Sequence, residues 1–367
     1  MAVSNPRLQR LTELGTSIWL DQMQRDLVRG GELARMVDEE CLRGVTSNPA
    51  IFEKAILGDG GASPYDEAIA ELANAGASAR EIYQQLAIED VQGACDVLRP
   101  VWESSGGSDG FVSFEVDPDL AFDTDRTLEQ AKEYWARVDR PNLMIKIPGT
   151  DEGLPAITEA LAAGINVNVT LLFAVSQYEK VMHAFIAGLD RRRVEGLSLD
   201  VHSVASFFVS RVDTEVDARL GDDHPELHGK AGVANARAAY QAYERIVGGE
   251  PFAELRAEGA AVQRPLWAST GVKNPAYSPV LYVDELAGPD TVNTMPLDTL
   301  RAAGEHSEVT EPRCTIDPSE TLAAIAAAGI DLDDVTDTLL KQGVDKFVEP
   351  MESLLAGIEQ RRAQVGA

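Results

Sequence analysis

Leu143-Met144-Ile145-Lys146-Ile147-Pro148-Gly149-Thr150 is an apolar run that carries one charge and closes on a turn signal. A run this short, ended by Pro-Gly-Thr, predicts a buried strand over Asn142–Ile147. Burying an ammonium costs several kcal/mol unless it is paired or neutralised. Apolar surroundings favour the neutral amine, and a neutral amine is a nucleophile. Lys146 at the end of such a strand is therefore a candidate for attack on a carbonyl to form a Schiff base. The plainer alternative is a lysine that pairs with a carboxylate or snorkels to the rim.

Outward from this run, short apolar segments alternate with amphipathic ones. Strands are predicted at Ser17–Asp21, Gly44–Ser47, Gly110–Val116, Ile165–Leu172, Asp200–Ala205, Pro265–Ser269 and Thr291–Thr294. Helices are predicted at Thr127–Val138, Gly153–Ala163, Ala174–Leu189 and Lys230–Val247. Eight strands alternating with helices predict an α/β fold, a closed (β/α)8 barrel, as one domain over 1–367. The rival is an open doubly wound sheet, but no Gly-x-Gly-x-x-Gly or P-loop follows a strand. Ser63–Glu103 is long enough for two extra helices, broken at Ala75–Ala77. The tail from Pro318 is helical too, with Phe347–Arg362 as a terminal helix. Such a helix is expected to pack near the barrel mouth and shield a reactive intermediate from water.

The chain has 367 residues, 44% of them hydrophobic, enough for a large core. Its net charge is −28, from 60 acidic against 32 basic residues. That field repels nucleic acid and anionic membrane, so neither is expected as a partner. A phosphorylated substrate would need local cations. Cys41, Cys95 and Cys314 are scattered and lack metal-ligand spacing. The residues up to Arg10 are polar, and no apolar run approaches the roughly 20 residues of a membrane span. A reduced, cytoplasmic compartment is the expectation. His224-Pro225-Glu226-Leu227-His228 pairs two histidines, but the proline disfavours the helix that would align them, so no metal is expected.

In a parallel barrel, polar residues near the carboxyl ends of apolar strands are the site candidates. Asn166, Asn168 and Thr170 recur with period two between Val167, Val169 and Leu171, which puts them on one face. Asp21 ends the first strand and Glu115 lies near the end of the third. Two carboxylates facing one lysine are the parts of a general acid/base system, though each could instead be a cap or a structural ion pair. Asp117 precedes a proline and reads as a turn residue. Asn48, before Pro49, is a turn former or a group that binds a substrate hydroxyl. Ser206, read as a helix start, with Arg211 about a turn later, suits a phosphate, and Lys273 could add a second cation. The bland reading is an N-cap serine and two surface cations.

Taken together, these segments resemble the transaldolase family. The resemblance is carried by Gly44-Val45-Thr46-Ser47-Asn48-Pro49, Val112–Asp117, Met144–Gly149 and Asn168–Phe173, in family order. The length and the Trp267–Met295 region look like the longer bacterial branch found in actinobacteria. The resemblance implies a (β/α)8 barrel that transfers a dihydroxyacetone unit between sugar phosphates, with no metal or organic cofactor. It implies that Lys146 forms the Schiff base and Asp21 is the acid/base. Glu115 and Thr170 would hold a catalytic water. Asn48 and Asn168 would bind the dihydroxyacetone hydroxyls, and Ser206 and Arg211 would clamp phosphate. Lys273 stands where many relatives carry arginine, which keeps the charge and loses the bidentate fork. One rival is a fructose 6-phosphate aldolase, whose members usually carry glutamine at the Glu115 position and tyrosine at the Phe208 position. Glu115 and Phe208 favour the transferase. Other rivals are a non-covalent isomerase barrel and a non-catalytic sugar-phosphate-binding barrel. Monomer and homodimer both stay open.

Overall fold

The computed structural model describes residues 4–58 and 63–365. The first three residues of the polar amino-terminal stretch lie outside them. Eight parallel strands close into a barrel in sequence order. They are β1 (Thr16–Asp21), β2 (Leu42–Thr46), β3 (Phe111–Glu115), β4 (Leu143–Pro148), β5 (Val167–Leu172), β6 (Ser203–Phe208), β7 (Gln263–Ala268) and β8 (Thr291–Met295). Seven of the eight match the predicted segments to within two residues at each end. β6 is the exception: it begins three residues later than predicted and runs on through Phe208.

Period-two alternation sorts each strand into two cores. Trp19, Phe111, Met144, Val204, Leu266 and Val292 pack together inside the barrel. Their neighbours Val45, Val112, Ile145, Val167, Ala205 and Trp267 pack outward under the helices. Gly44 is needed where it stands, because a Cβ there would lie 2.4 Å from the Trp19 indole. The next inward positions toward the carboxyl ends are Asp21, Ser113, Lys146, Asn168, Ser206 and Thr294. An apolar plug thus closes the barrel at mid-height and carries a polar layer above it.

The long β2–β3 connection does hold two helices, Asp66–Asn74 and Ala79–Ser104, after a first one at Pro49–Leu57. Ser78 opens the second with a reciprocal capping box to Glu81. Asp117 stands at the start of the turn Pro118–Leu120, as a turn residue should, but its carboxylate is buried and bound by Arg80 and by the Tyr134 hydroxyl at 3.0 Å rather than capping the turn. The His224–His228 segment is a 3₁₀ turn, and its two imidazoles face different partners, Glu226 and the Gly221 carbonyl.

The terminal helix departs most from expectation. It spans Leu332–Val365, with Pro350 in its interior, rather than Phe347–Arg362. Gly343 and Pro350 read as helix breakers, but tertiary packing overrides that propensity. Near its start, Asp334 binds Arg219 on the helix Ser210–Leu220 at 2.6 Å. Near its end, Arg361 donates to the carbonyls of Ile56 and Leu57, the open end of the helix Pro49–Leu57. The terminal helix therefore crosses the barrel mouth from the β6 side to the β2 side. Gly343 allows close seating, since a Cβ there would lie 3.1 Å from Leu171 Cδ2. Leu171 itself is left-handed, with φ +60°, and interrupts the β5–β6 ladder. That conformation costs about 1–3 kcal/mol for a branched residue and turns the strand end toward the covering helix.

Candidate active site

Lys146 is buried at the carboxyl end of β4. Its cross-strand neighbours are Glu115 on β3 and Asn168 on β5. Nζ donates to Glu115 Oε2 at 3.1 Å and to the Ser47 carbonyl at 3.0 Å. It also lies 5.5 Å from the centre of the Phe347 ring on the terminal helix. The sequence left two readings of this lysine, a nucleophile or half of an ion pair, and the fold provides the pair beside an open cavity. Two buried charges recover their desolvation cost only with good geometry and further hydrogen bonds. Here Glu115 Oε1 has no hydrogen-bond partner among the described residues, so the pair is under-satisfied on the carboxylate side.

Burial pushes the Glu115 carboxyl up to about 7, against the pull of the Lys146 ammonium. Burial also raises Asp21. Lys146 opposes that shift most, followed by the hydrogen bond from Thr46 and the charges of Arg211 and Lys273. Thr46 Oγ1 donates to Asp21 Oδ1 at 2.7 Å and thereby holds that carboxylate at the mouth. Glu115, near neutrality, and Asp21, raised by burial, flank one amine and form the parts of a proton-exchanging set.

The cavity above this layer has a volume of about 190 Å³, and Asp21, Asn48, Lys146, Thr170, Arg211 and Lys273 line it. Asn48 is both things that the sequence allowed. Its Oδ1 caps the helix Pro49–Leu57 by accepting from Ile51 N at 3.0 Å, and the residue also faces the cavity. Thr170 is fully buried, and its Oγ1 is another polar atom without a partner. Asn168 sits one layer lower and does not line the cavity. Its amide donates to Ser113 Oγ at 2.9 Å and its carbonyl accepts from Ser206 Oγ at 2.7 Å.

Ser206 requires a correction. It lies inside β6, not at a helix start, because the strand continues through Phe208 and the helix begins at Ser210. The hydroxyl at the helix start belongs to Ser210, and it pairs with Ser269 Oγ at 2.9 Å. Ser206 still lines the cavity from the strand, while Arg211 enters from the first turn of the helix. Arg211 stacks on Phe208, with its guanidinium carbon 5.1 Å from the ring centre, and its Nη1 is buried without a partner. Lys273 approaches from the loop after β7. Neither cation forms an ion pair among the described residues. Two unpaired cations facing one cavity, in a chain of net charge −28, make a local anion site.

Thr46, Ser47 and Phe347 belong to this constellation and were not singled out from the sequence. Thr46 was findable as a polar residue at a strand's carboxyl end. The Ser47 contact is made by backbone, and Phe347 arrives from 201 positions further along the chain, as Lys146 and Phe347 are numbered. Neither leaves a local signal. Among the described residues no three His, Cys, Asp or Glu side chains are grouped to hold a metal, and no helix is long and apolar enough to cross a membrane.

Comparison with known proteins agrees with this geometry. The family described as Transaldolase/Fructose-6-phosphate aldolase matches residues 18–358. A transaldolase of Mycolicibacterium paratuberculosis is 50% identical, over 100% of this chain and 99% of that protein. Transaldolases of Mycolicibacterium smegmatis and Saccharopolyspora erythraea are 51% and 48% identical, covering 96% and 98% of this chain and 96% and 99% of their own lengths. With a matched span that runs from β1 into the terminal helix and takes in every residue of the cavity, the chain belongs to the transaldolase/fructose-6-phosphate aldolase family.

Proposed function

We propose that this protein is a transaldolase. It moves a dihydroxyacetone unit from sedoheptulose 7-phosphate or fructose 6-phosphate to glyceraldehyde 3-phosphate or erythrose 4-phosphate. The observation that carries the reading is the buried Lys146–Glu115 pair beneath a cavity rimmed by Arg211 and Lys273.

Lys146 passes a proton to the adjoining Glu115 carboxylate, and its amine adds to the ketose carbonyl to give a carbinolamine. Glu115, acting through a water held with Thr170, protonates the departing hydroxyl, and an iminium forms. A carboxyl near 7 suits both giving and regaining that proton. Asp21 takes the proton of the C4 hydroxyl, the C3–C4 bond breaks, and its electrons move into the iminium as an enamine. The aldose leaves. The enamine then attacks the acceptor aldehyde, and Asp21 returns its proton to the new hydroxyl. Asn48 would hold a dihydroxyacetone hydroxyl directly, and Asn168 would act through Ser206, whose hydroxyl it orients. Arg211 and Lys273 would take the phosphate. Phe208 packs the guanidinium and leaves no hydroxyl beside the lysine for the lyase reaction. A single domain, a cytoplasmic setting and a monomer or homodimer complete the reading, supported by three free buried thiols.

Borohydride trapping tests it. Reduction in the presence of fructose 6-phosphate should leave a dihydroxyacetone adduct on the Lys146 peptide. No adduct on folded protein would remove the Schiff base. Release of free dihydroxyacetone without an acceptor, at the full transfer rate, would instead make the enzyme a fructose 6-phosphate aldolase.

A further inference from the structure

Behind the two cations lies a buried network that the reaction does not use. Asp213 and Asp217 stand one turn apart on the helix Ser210–Leu220, on the face away from the cavity. Asp213 accepts from the Tyr282 hydroxyl at 2.8 Å and from Gly232 N at 2.6 Å. Asp217 accepts from the Tyr277 hydroxyl at 2.6 Å and from Gly229 N at 3.0 Å. Two carboxylates on one helix thus grip two tyrosines of the segment after β7 and two glycines at the start of the helix Ala231–Val247, Gly229 just before it and Gly232 in its first turn.

The glycines fit this grip closely. Gly229 has φ +69°, and a Cβ there would lie 2.8 Å from the Tyr277 ring. A Cβ on Gly232 would lie 2.7 Å from the Val209 carbonyl and 3.0 Å from Asp213 Oδ2. Gly232 N belongs to the first turn of its helix, where an amide lacks an intrahelical partner, and Asp213 supplies one. Asp213 is 1% exposed, and its burial pushes the carboxyl up to about 6. A buried carboxylate that only filled space would be a cost; one with its acceptors filled is a strut.

The elements joined are the two that carry the cations. Arg211 lies two residues before Asp213. Lys273 lies four residues before Tyr277. At the base, the same two elements are already tied by Ser210 N to the Ser269 carbonyl at 3.0 Å and by the Ser210–Ser269 hydroxyl pair. Arg211 and Lys273 therefore stand between a tie at the base and a pair of ties at the far end.

Building on the phosphate reading of Arg211 and Lys273, we propose that Asp213–Tyr282 and Asp217–Tyr277 are positioning pairs that fix the spacing of these two cations for a substrate phosphate. Without the ties, the β7 segment would drift and Lys273 would lose its registry with Arg211. Binding of the phosphate would weaken while the chemistry at Lys146 stayed intact.

The test compares a phosphorylated with an unphosphorylated ketose, fructose 6-phosphate against fructose, and adds competitive inhibition by inorganic phosphate. Tyr277→Phe, at a half-buried site, keeps the ring and removes one hydroxyl. It should raise KM for fructose 6-phosphate and the phosphate inhibition constant by about 3–10-fold, the size of one or two lost hydrogen bonds, and leave kcat near the parent value. Trapping with fructose should be unchanged. Asp217→Asn, which keeps one acceptor oxygen, should fall between the parent and Asp217→Ala. Arg211→Ala is the separate control on the phosphate reading itself. If that variant leaves the phosphate constant unmoved, the anion site is wrong and the struts have nothing to position. If it weakens phosphate while Tyr277→Phe does not, only the positioning inference fails. Equal losses with fructose and fructose 6-phosphate would also overturn it, because they would mark a general structural role.

Discussion

At the amino end of β5, Asn166 commits its whole carboxamide to the fold. It donates to the carbonyls of Pro141 and Leu143 at 3.0 Å each and accepts from His202 N at 2.9 Å. Two residues on, Asn168 bridges two serines. Two residues further, Thr170 Oγ1 has no partner among the described residues. The same face of one strand passes from a satisfied to an unsatisfied polar group in four residues. Elsewhere the contrast holds at particular groups rather than throughout, since Asn142 Oδ1 and Gln263 Oε1 at the amino ends of their strands also lack a partner among the described residues. At the foot, Asp109 accepts from Ser17, from Trp19 Nε1 at 3.0 Å and faces Arg264 at 3.6 Å. At the mouth, Glu115 Oε1 and Arg211 Nη1 are buried and bare. Asn166 and Asp109 at the foot are spent on the fold, whereas Glu115, Thr170 and Arg211 at the mouth each keep an atom for something that is not protein.

The contrast is sharpest at Lys146. Lys146→Met should lower turnover by about 10³-fold or more and abolish borohydride trapping. The melting temperature should stay level below neutral pH, because the Glu115 carboxyl left alone is raised by burial and protonates instead of standing as an unpaired charge. A large drop in stability would make Lys146 a structural residue and erase the contrast.

Glu115→Gln comes next. It should cost about 10²-fold in turnover if the carboxyl moves a proton. It should also change the stability profile. Glu115 titrates at about 7 in the fold against 4.5 as an ordinary glutamate. Between those values the folded state holds a proton that the unfolded state has released, so stability falls as pH rises through this window. The glutamine variant should be flatter from pH 4.5 to 7 by chemical denaturation, and an unchanged slope would contradict the raised carboxyl.

The opposite signature is expected at the foot. Asp109→Ala should lower stability by about 1–3 kcal/mol through the donors it strands. Its kcat/KM should stay within about a factor of two, measured below the unfolding transition. Activity that fell in step with stability would show the two ends to be coupled. The smallest effect is assigned to the cover. Phe347→Ala should leave the Schiff base intact and raise hydrolytic loss of donor relative to transfer by about a few-fold, as water reaches the enamine. An unchanged ratio would deny the terminal helix a shielding role.

The barrel was legible because its strands carry their own code. Asn166, Asn168 and Thr170 alternate with apolar residues, and Lys146 interrupts an apolar run, so face and strand end could both be read locally. β6 was misread where Ser206-Phe207-Phe208 looked like the opening of a helix. A serine in a strand and a serine at an N-cap look alike until the neighbouring strand fixes the register. The acid/base set was legible as residue types at strand ends. The partners of those residues were not, because Thr46 to Asp21 and Lys146 to the Ser47 carbonyl are contacts between elements. The terminal helix was underestimated over Leu332–Lys346, where Gly343 seats against Leu171 and that contact outweighs local propensity.

That helix also says when the enzyme becomes an enzyme. Arg361 meets the Ile56 carbonyl across 305 positions of sequence, one of the longest loops the chain closes. Contacts so distant come late, since chain entropy must be spent before they return anything. On the ribosome, Lys146 and Glu115 emerge and pair long before Phe347 exists. The nascent barrel therefore passes through a stage in which its reactive amine is made but uncovered, and maturation ends only when residues 332–365 lie down across the mouth.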